Sequence, residues 1–195
     1  MWAGVSVLER PAATALVPLP TLKRWLFIEH DADDDLLERF LRGAIARIDG
    51  PQGIGFAMMK QTWRKSMDAF QSCIFLPGAP VKSIADITYL DPAGVARLLD
   101  PGTYYLDPGH EPARLVPAPG KSWPATASLP GAVKIDYVLG EDDPDDVPGD
   151  LIDAVALLVG HRNLHREAAS DAGSEAIPLG VEWILNEHAR CHVAA

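Results

Sequence analysis

The clearest periodic signal in the chain is an apolar stripe at Leu36, Leu37, Phe40, Leu41, Ala44, Ile45 and Ile48, with Glu38, Arg39, Arg42 and Arg47 outside it. Residues at this spacing share one face of a helix, so the stripe predicts an amphipathic helix that stops at Gly50-Pro51. The cluster Asp33-Asp34-Asp35 lies at its start, where a helix favours negative charge. Ahead of it, Leu22, Trp25 and Leu26 follow Thr21, a good capping residue, and predict a short helix over 21–28. Residues 1–20, rich in Pro and Ala, read as an extended arm.

From 61 to 139 the pattern changes to runs of Val, Ile, Thr and Tyr cut by Pro and Gly. Candidate strands cover 62–68, 73–76, 81–90, 103–107, 113–116 and 132–139. The last alternates cleanly, with Val133, Ile135 and Tyr137 on one face and Lys134 and Asp136 on the other, as in a strand with one wet face. Short strands with frequent turns predict a small antiparallel sheet or barrel. Residues 141–146 form an acidic, solvated loop. A helix then starts at 148–150 and runs to about 165; its residues Leu151, Ile152, Ala154, Val155, Ala156, Leu157, Leu158 and Val159 cover more than one face and call for cover on more than one side. After a small, polar loop at 168–176, Pro178-Leu179-Gly180 opens a last helix with Val181, Ile184, Leu185 and His188 along one side. The predicted class is α+β: a helical core of early and late helices with an inserted, small antiparallel β-rich region. Its divisions are an arm (1–20), core helices (21–60), the β-rich insertion (61–140) and late helices with a C-terminal segment (141–195). No internal repeat is present.

At 195 residues the chain makes one domain or two small ones, and 48% hydrophobic with 23% charged residues is a globular composition. Lys plus Arg is 17 and Asp plus Glu 27, a net charge of −10. That argues against gripping nucleic acid by neutralising phosphates, though not against surrounding nucleic acid and repelling it. Cys73 and Cys191 stand far apart with no CxxC spacing, so a disulfide framework is excluded and a reducing compartment fits. Cys73, in an apolar run, reads as a small core residue. Residues 1–11 lack the basic start and apolar core of a signal peptide, and the longest apolar stretch, 154–160, is far too short to span a bilayer. The expectation is a soluble protein made in a cytoplasm.

Candidate chemistry is thin. Gly120-Lys121-Ser122 has the end of a phosphate-binding loop, but position 115 is Leu115 where that loop needs glycine, and Trp123-Pro124 follows where it needs a helix. Asp31, Asp33 and Asp35 open like a calcium loop, but the glycine and glutamate positions hold Leu36 and Arg42. His161 and His165 are four apart on a predicted helix, and His188 and His192 repeat the spacing with Cys191 between them. Such pairs could hold a metal, but no glutamate stands in the HExxH sense. No GxSxG occurs, and Gly53-Ile54-Gly55 lacks the third glycine of a dinucleotide fingerprint because position 58 is Met58. No catalytic, metal-ligating or cofactor-binding set emerges, and no cofactor is expected.

The ordered set of local phrases carries more. Thr21-Leu22-Lys23-Arg24-Trp25-Leu26 leads to Asp33-Asp34-Asp35-Leu36-Leu37-Glu38-Arg39. Gln61-Thr62-Trp63-Arg64 leads to Leu76-Pro77-Gly78-Ala79-Pro80-Val81-Lys82-Ser83-Ile84 and Ile87-Thr88-Tyr89-Leu90-Asp91. Pro112-Ala113-Arg114-Leu115, Ser122-Trp123-Pro124 and Pro130-Gly131-Ala132-Val133 follow. Val147-Pro148, Leu157-Leu158-Val159-Gly160-His161-Arg162 and Ile177-Pro178-Leu179-Gly180-Val181 close the set. Over residues 20–190 this order resembles the head–tail connector, or adaptor, family of tailed phages and phage-like gene transfer agents. The sequence departs from the family's pattern at 49–55, where the family leaves its helix by a shorter, more basic turn.

The resemblance implies a helical core with a β-rich insertion and a structural, non-enzymatic role. Copies would form a homo-oligomeric ring, typically a dodecamer, in the neck of a virion or phage-like particle. They would contact the portal protein above and a stopper or other tail-side neck protein below, with DNA passing through the channel without specific binding and no membrane involved. The surplus apolar surface of the late helices, together with the family's use of its C-terminal segment to grip the portal, makes Leu151, Val155, Leu158, Val181, Trp183, Ile184 and Leu185 the expected partner interface. Two other classes stay open at this point: a metal-dependent enzyme using the paired histidines, and a β-rich protein- or carbohydrate-binding module.

Overall fold

The computed structural model describes residues 4–165 and 179–189. The early helices are α1 (Ala13–Leu16), α2 (Leu19–Trp25) and α3 (Asp34–Ile48). In α3 the inward positions Leu37, Leu41, Ala44 and Ile48 are all buried, while Asp34 and Asp35 in the first turn and Arg47 in the last complement the helix dipole. The late helices are α4 (Gly149–Leu164) and α5 (Leu179–His188). α4 packs against both α3 and α5. One apolar cluster unites these helices, built from Leu22, Leu37, Leu41, Ile48, Leu151, Val155, Val159 and Val181 among others.

The strands are β1 (Val5–Glu9), β2 (Gln61–Met67), β3 (Ile74–Leu76), β4 (Val81–Leu90), β5 (Ala96–Leu98), β6 (Tyr104–Asp107), β7 (Ala113–Pro117) and β8 (Val133–Leu139). They form a five-stranded sheet in the order β1-β2-β8-β4-β5 and a three-stranded sheet in the order β3-β7-β6. Every pairing within them is antiparallel. In β8 Val133, Ile135, Tyr137 and Leu139 are buried and Lys134 is exposed, so the alternation read from sequence is the face that builds the second apolar cluster. Opposite Asp136, Arg64 of β2 forms a two-pronged ion pair at 2.7 and 2.6 Å. The fold is α+β, as the patterning predicts, with every strand except β1 between the early and late helices in chain order.

The N-terminal expectation needs correction. Residues 1–20 are not simply an arm: Val5–Glu9 pairs with β2 as an edge of the main sheet, and Leu16 and Val17 are buried. The reason is local and apolar at once. Val5 and Val7 alternate as a strand does and pack against the β cluster, while Leu16 fills the helical one. The sheet therefore extends outside 61–140. The second helix begins at Leu19 rather than Thr21, because Pro18 takes the capping position with extended backbone and Pro20 sits in the first turn, where its missing N–H costs nothing. Cys73 lies just before β3 and is only half-buried, so it is not a core residue.

The segment between α3 and β2 is a folded junction. Gly50 N–H donates to Phe56 O at 3.0 Å, Ile54 N–H to Ile48 O at 2.9 Å and Gly55 N–H to Gly50 O at 3.1 Å. Beneath it lies a buried polar chain. Trp63 Nε1 donates to Gln61 Oε1 at 3.0 Å, Gln61 Nε2 donates to an Asp49 carboxylate oxygen at 2.5 Å, and Met58 N–H donates to the other at 3.1 Å. Asp49 is 4% exposed and Gln61 2%, so these bonds satisfy groups that water cannot reach. Burial raises the Asp49 carboxyl above its ordinary range, opposed by the Met58 amide, the nearby Arg10 charge and Gln61. The junction closes onto the end of β8 at Gly140, whose φ is +94 and where a Cβ would lie 2.2 Å from Met59 O; only glycine fits.

Candidate functional site

Surface available to a partner is what the helices leave uncovered. Of the seven residues expected at an interface, four are inside the subunit: Leu151, Val155 and Val181 have no exposure and Leu158 has 7%. They fill the helical cluster with Leu37, Leu41 and Ile48. Ile184 and Leu185 are half-buried against the same cluster, and Trp183 alone points outward, at 70% exposure. Within the chain α4 packs against both α3 and α5, so the buried part of its apolar surface does not by itself require a second subunit.

Outward apolar groups appear elsewhere. On α4 these are Leu157 and Leu164, on a face away from the buried one; at the end of α2 they are Trp25 and Phe27. Leu26 packs close to Gly160 of α4, which brings the end of α2 to that helix. Phe27 is 94% exposed and has φ +56, the left-handed region that non-glycine residues enter at a cost. The cause is the way α2 ends: Ile28 N–H donates to Lys23 O at 3.0 Å and Phe27 N–H to Arg24 O at 3.3 Å, a closure that puts a residue with positive φ where glycine is usual. Nothing in the hydropathy pattern marks Phe27, Leu157 or Leu164 as outward, because each sits beside buried neighbours of the same type.

The histidines are used locally. His188 Nε2 lies 2.6 Å from Asp150 Oδ2, tying the end of α5 to the start of α4, and the Phe56 ring meets His188 edge-on. The rings of His161 and His165 are 4.6 Å apart, as their spacing predicts. Cys191 and His192 lie outside the described residues. Among the described residues no group of three or more His, Cys, Asp or Glu side chains is placed to hold a metal ion, and no helix is long and apolar enough to cross a membrane. Gly120 has φ +74 in a turn that no helix follows, so 120–122 does not form a phosphate cradle. A cavity of about 310 Å³ is lined by Arg10, Ala13, Leu16, Arg42, Asp49 and Met58 among others. It is walled by the N-terminal segment and α3.

No family model and no curated protein matches the chain. Solved structures do. The same fold occurs in gene transfer agent particles. A chain from the virion of a native gene transfer agent particle superposes with a TM-score of 0.77 at 26% identity, over 97% of this chain and 97% of that one. A chain from the neck of the native particle, computed with C12 symmetry, gives 0.75 at 26% identity over the same shares. A chain from the neck of the empty particle, computed with C6 symmetry, gives 0.75 at 25% identity, again over 97% of each. With 97% of each chain covered, neither carries a large domain that the other lacks.

Proposed function

We propose that this chain is a structural head–tail connector subunit: copies assemble as a ring, of twelve in our reading, in the neck of a phage-like particle and extend the DNA channel from the portal toward the tail. The observation that carries this reading is the near end-to-end match to neck components of gene transfer agent particles, in one case in a neck computed with twelve-fold symmetry. The ordered sequence phrases over 20–190 support the same family independently.

The physics of the chain suits the role. A wall around moving DNA should not bind phosphates, and a subunit of net charge −10 releases few counterions from DNA. The partners in this reading are further copies of the chain, the portal protein and a tail-side neck protein. The outward Trp183 on α5, flanked by half-buried Ile184 and Leu185, is the anchor offered to the portal, since large aromatic groups dominate such contacts. Particles would hold the ring in their neck after assembly in the host cytoplasm.

Electron microscopy of the purified chain, alone and mixed with the portal of its particle, tests this directly. Rings of twelve stacked on the portal are the expected result. A chain that stays monomeric at high concentration and leaves the portal bare would overturn the reading.

A further inference from the structure

Between α3 and the last turn of α4 lies a groove of about 570 Å³ lined by Leu36, Arg39, Phe40, Gly43, Arg162 and His165. Among the described residues no carboxylate lines it. Arg162 lies directly over Gly43, where any Cβ would overlap its guanidinium, so the glycine lets the cation rest against the α3 backbone. Neither Arg39 nor Arg162 forms an ion pair among the described residues. In a chain of net charge −10 this is a concentrated positive site with an apolar floor.

At the opposite end of α4, about 24 Å away at 1.5 Å per residue over its 16 residues, stands the loop that precedes it. There Asp143, Asp145 and Asp146 are exposed and form no ion pair among the described residues. The loop is already ordered: Pro144–Asp146 is a single tight turn, and the Asp143 carboxylate accepts the Asp145 N–H at 3.0 Å. An ordered loop loses little freedom on binding. The chain's other acidic run, at 33–35, starts α3 at the groove's own end, and Asp34 there is already held by Lys23 at 2.8 Å.

From this charge complementarity we infer that the acidic loop of one subunit docks in the Arg39–Arg162–His165 groove of the next copy. The contact is heterologous, using two different patches at opposite ends of α4, which is the kind of interface that closes a ring. It rests on the ring reading above and names where its subunits meet. DNA is the weaker candidate occupant, because two guanidinium groups in a groove on an acidic chain release few counterions.

The test uses four variants of the full chain, followed by native mass spectrometry across a concentration series, with circular dichroism to confirm folding. Three are Arg39→Glu with Arg162→Glu, Asp145→Lys with Asp146→Lys, and all four changes together. A third pair, Arg39→Glu with His165→Glu, spares Arg162 should its loss disturb α3. Each reversal alone should weaken association about tenfold or more, as expected for paired interfacial charges. Mixing the two single-patch variants, or combining all four changes, should restore oligomers. Wild-type-like assembly by folded single-patch variants would overturn the pairing, and so would failure of the mixture to recover. Loss of duplex DNA binding with unchanged assembly would assign the groove to nucleic acid instead. A wild-type chain that never oligomerises removes the ring reading itself, whereas a wild-type ring indifferent to these changes removes only the docking contact.

Discussion

Asp49 is a carboxylate drawn into the interior by the donors around it. Its two oxygens each accept one buried donor, from Met58 N–H and from Gln61 Nε2. Asn at this position can accept only one of them, so Asp49→Asn should destabilise the subunit by about 1–3 kcal/mol, the cost of one unsatisfied buried donor, measured by urea unfolding. The direction with pH also follows. Burial holds the carboxyl above its ordinary value of 3.8, so the stability it contributes is full below that value and is lost as pH rises through the folded-state pKa. The gap between wild type and Asp49→Asn should therefore narrow on going from pH 4 to pH 8; a gap that widens would show the hydrogen bonds to the ionised form outweighing desolvation. Phe27 offers the opposite case. It is held at φ +56 by the end of α2 and is almost fully exposed, so Phe27→Gly relieves backbone strain and loses no core contact. Its melting temperature should rise, with a gain of up to about 1 kcal/mol.

At the scale of elements, α4 and α5 separate what holds the subunit together from what it offers to others. Leu158 is 7% exposed within the helical cluster, so Leu158→Asp buries a charge and should cost at least ~3 kcal/mol, unfolding the chain rather than merely blocking assembly. Trp183, at 70% exposure, gives the contrast: Trp183→Ala should leave stability within about 0.5 kcal/mol of wild type while weakening capture by the portal in a pull-down. Equal portal binding by a folded Trp183→Ala would remove that residue from the interface. Val181 is fully buried, so α5 belongs to the core of the subunit, and ending the chain after Ala176 should lower the melting temperature of the whole subunit.

For the whole molecule the governing quantity is the distribution of its charge. Surface pairs such as Lys60–Asp142, both well exposed, contribute little to stability. Guanidinium groups at one end of α4 and carboxylates at the other, without ion pairs among the described residues, give the subunit a direction. Assembly through such patches weakens as salt shortens the reach of charge, so oligomers should dissociate between about 0.1 and 1 M NaCl, read by light scattering. An assembly that tightens with salt would instead indicate apolar contacts through Leu157, Leu164 and Phe27.

Much of this architecture was determined by patterning within single elements. The α3 stripe, the alternation of β8 and the all-round apolarity of α4 are local periodicities, and each predicted its element because a periodic face must be buried. The β4 strand was legible in extent but not in facing: its inward residues Val81, Ile84 and Ile87 are three apart because register shifts interrupt its pairing with β8. What only tertiary structure decided was pairing between distant segments. The N-terminal residues look like an arm until β2 offers them an edge, and the apolar surplus of α4 looks like an interface until α5 covers it. The Arg39–Arg162 groove had no sequence signal at all, since its two cations lie on different helices and are joined only by packing. Burial is written into the order of residues, but which buried face meets which, and therefore which surface remains for a partner, is a property of the folded chain alone.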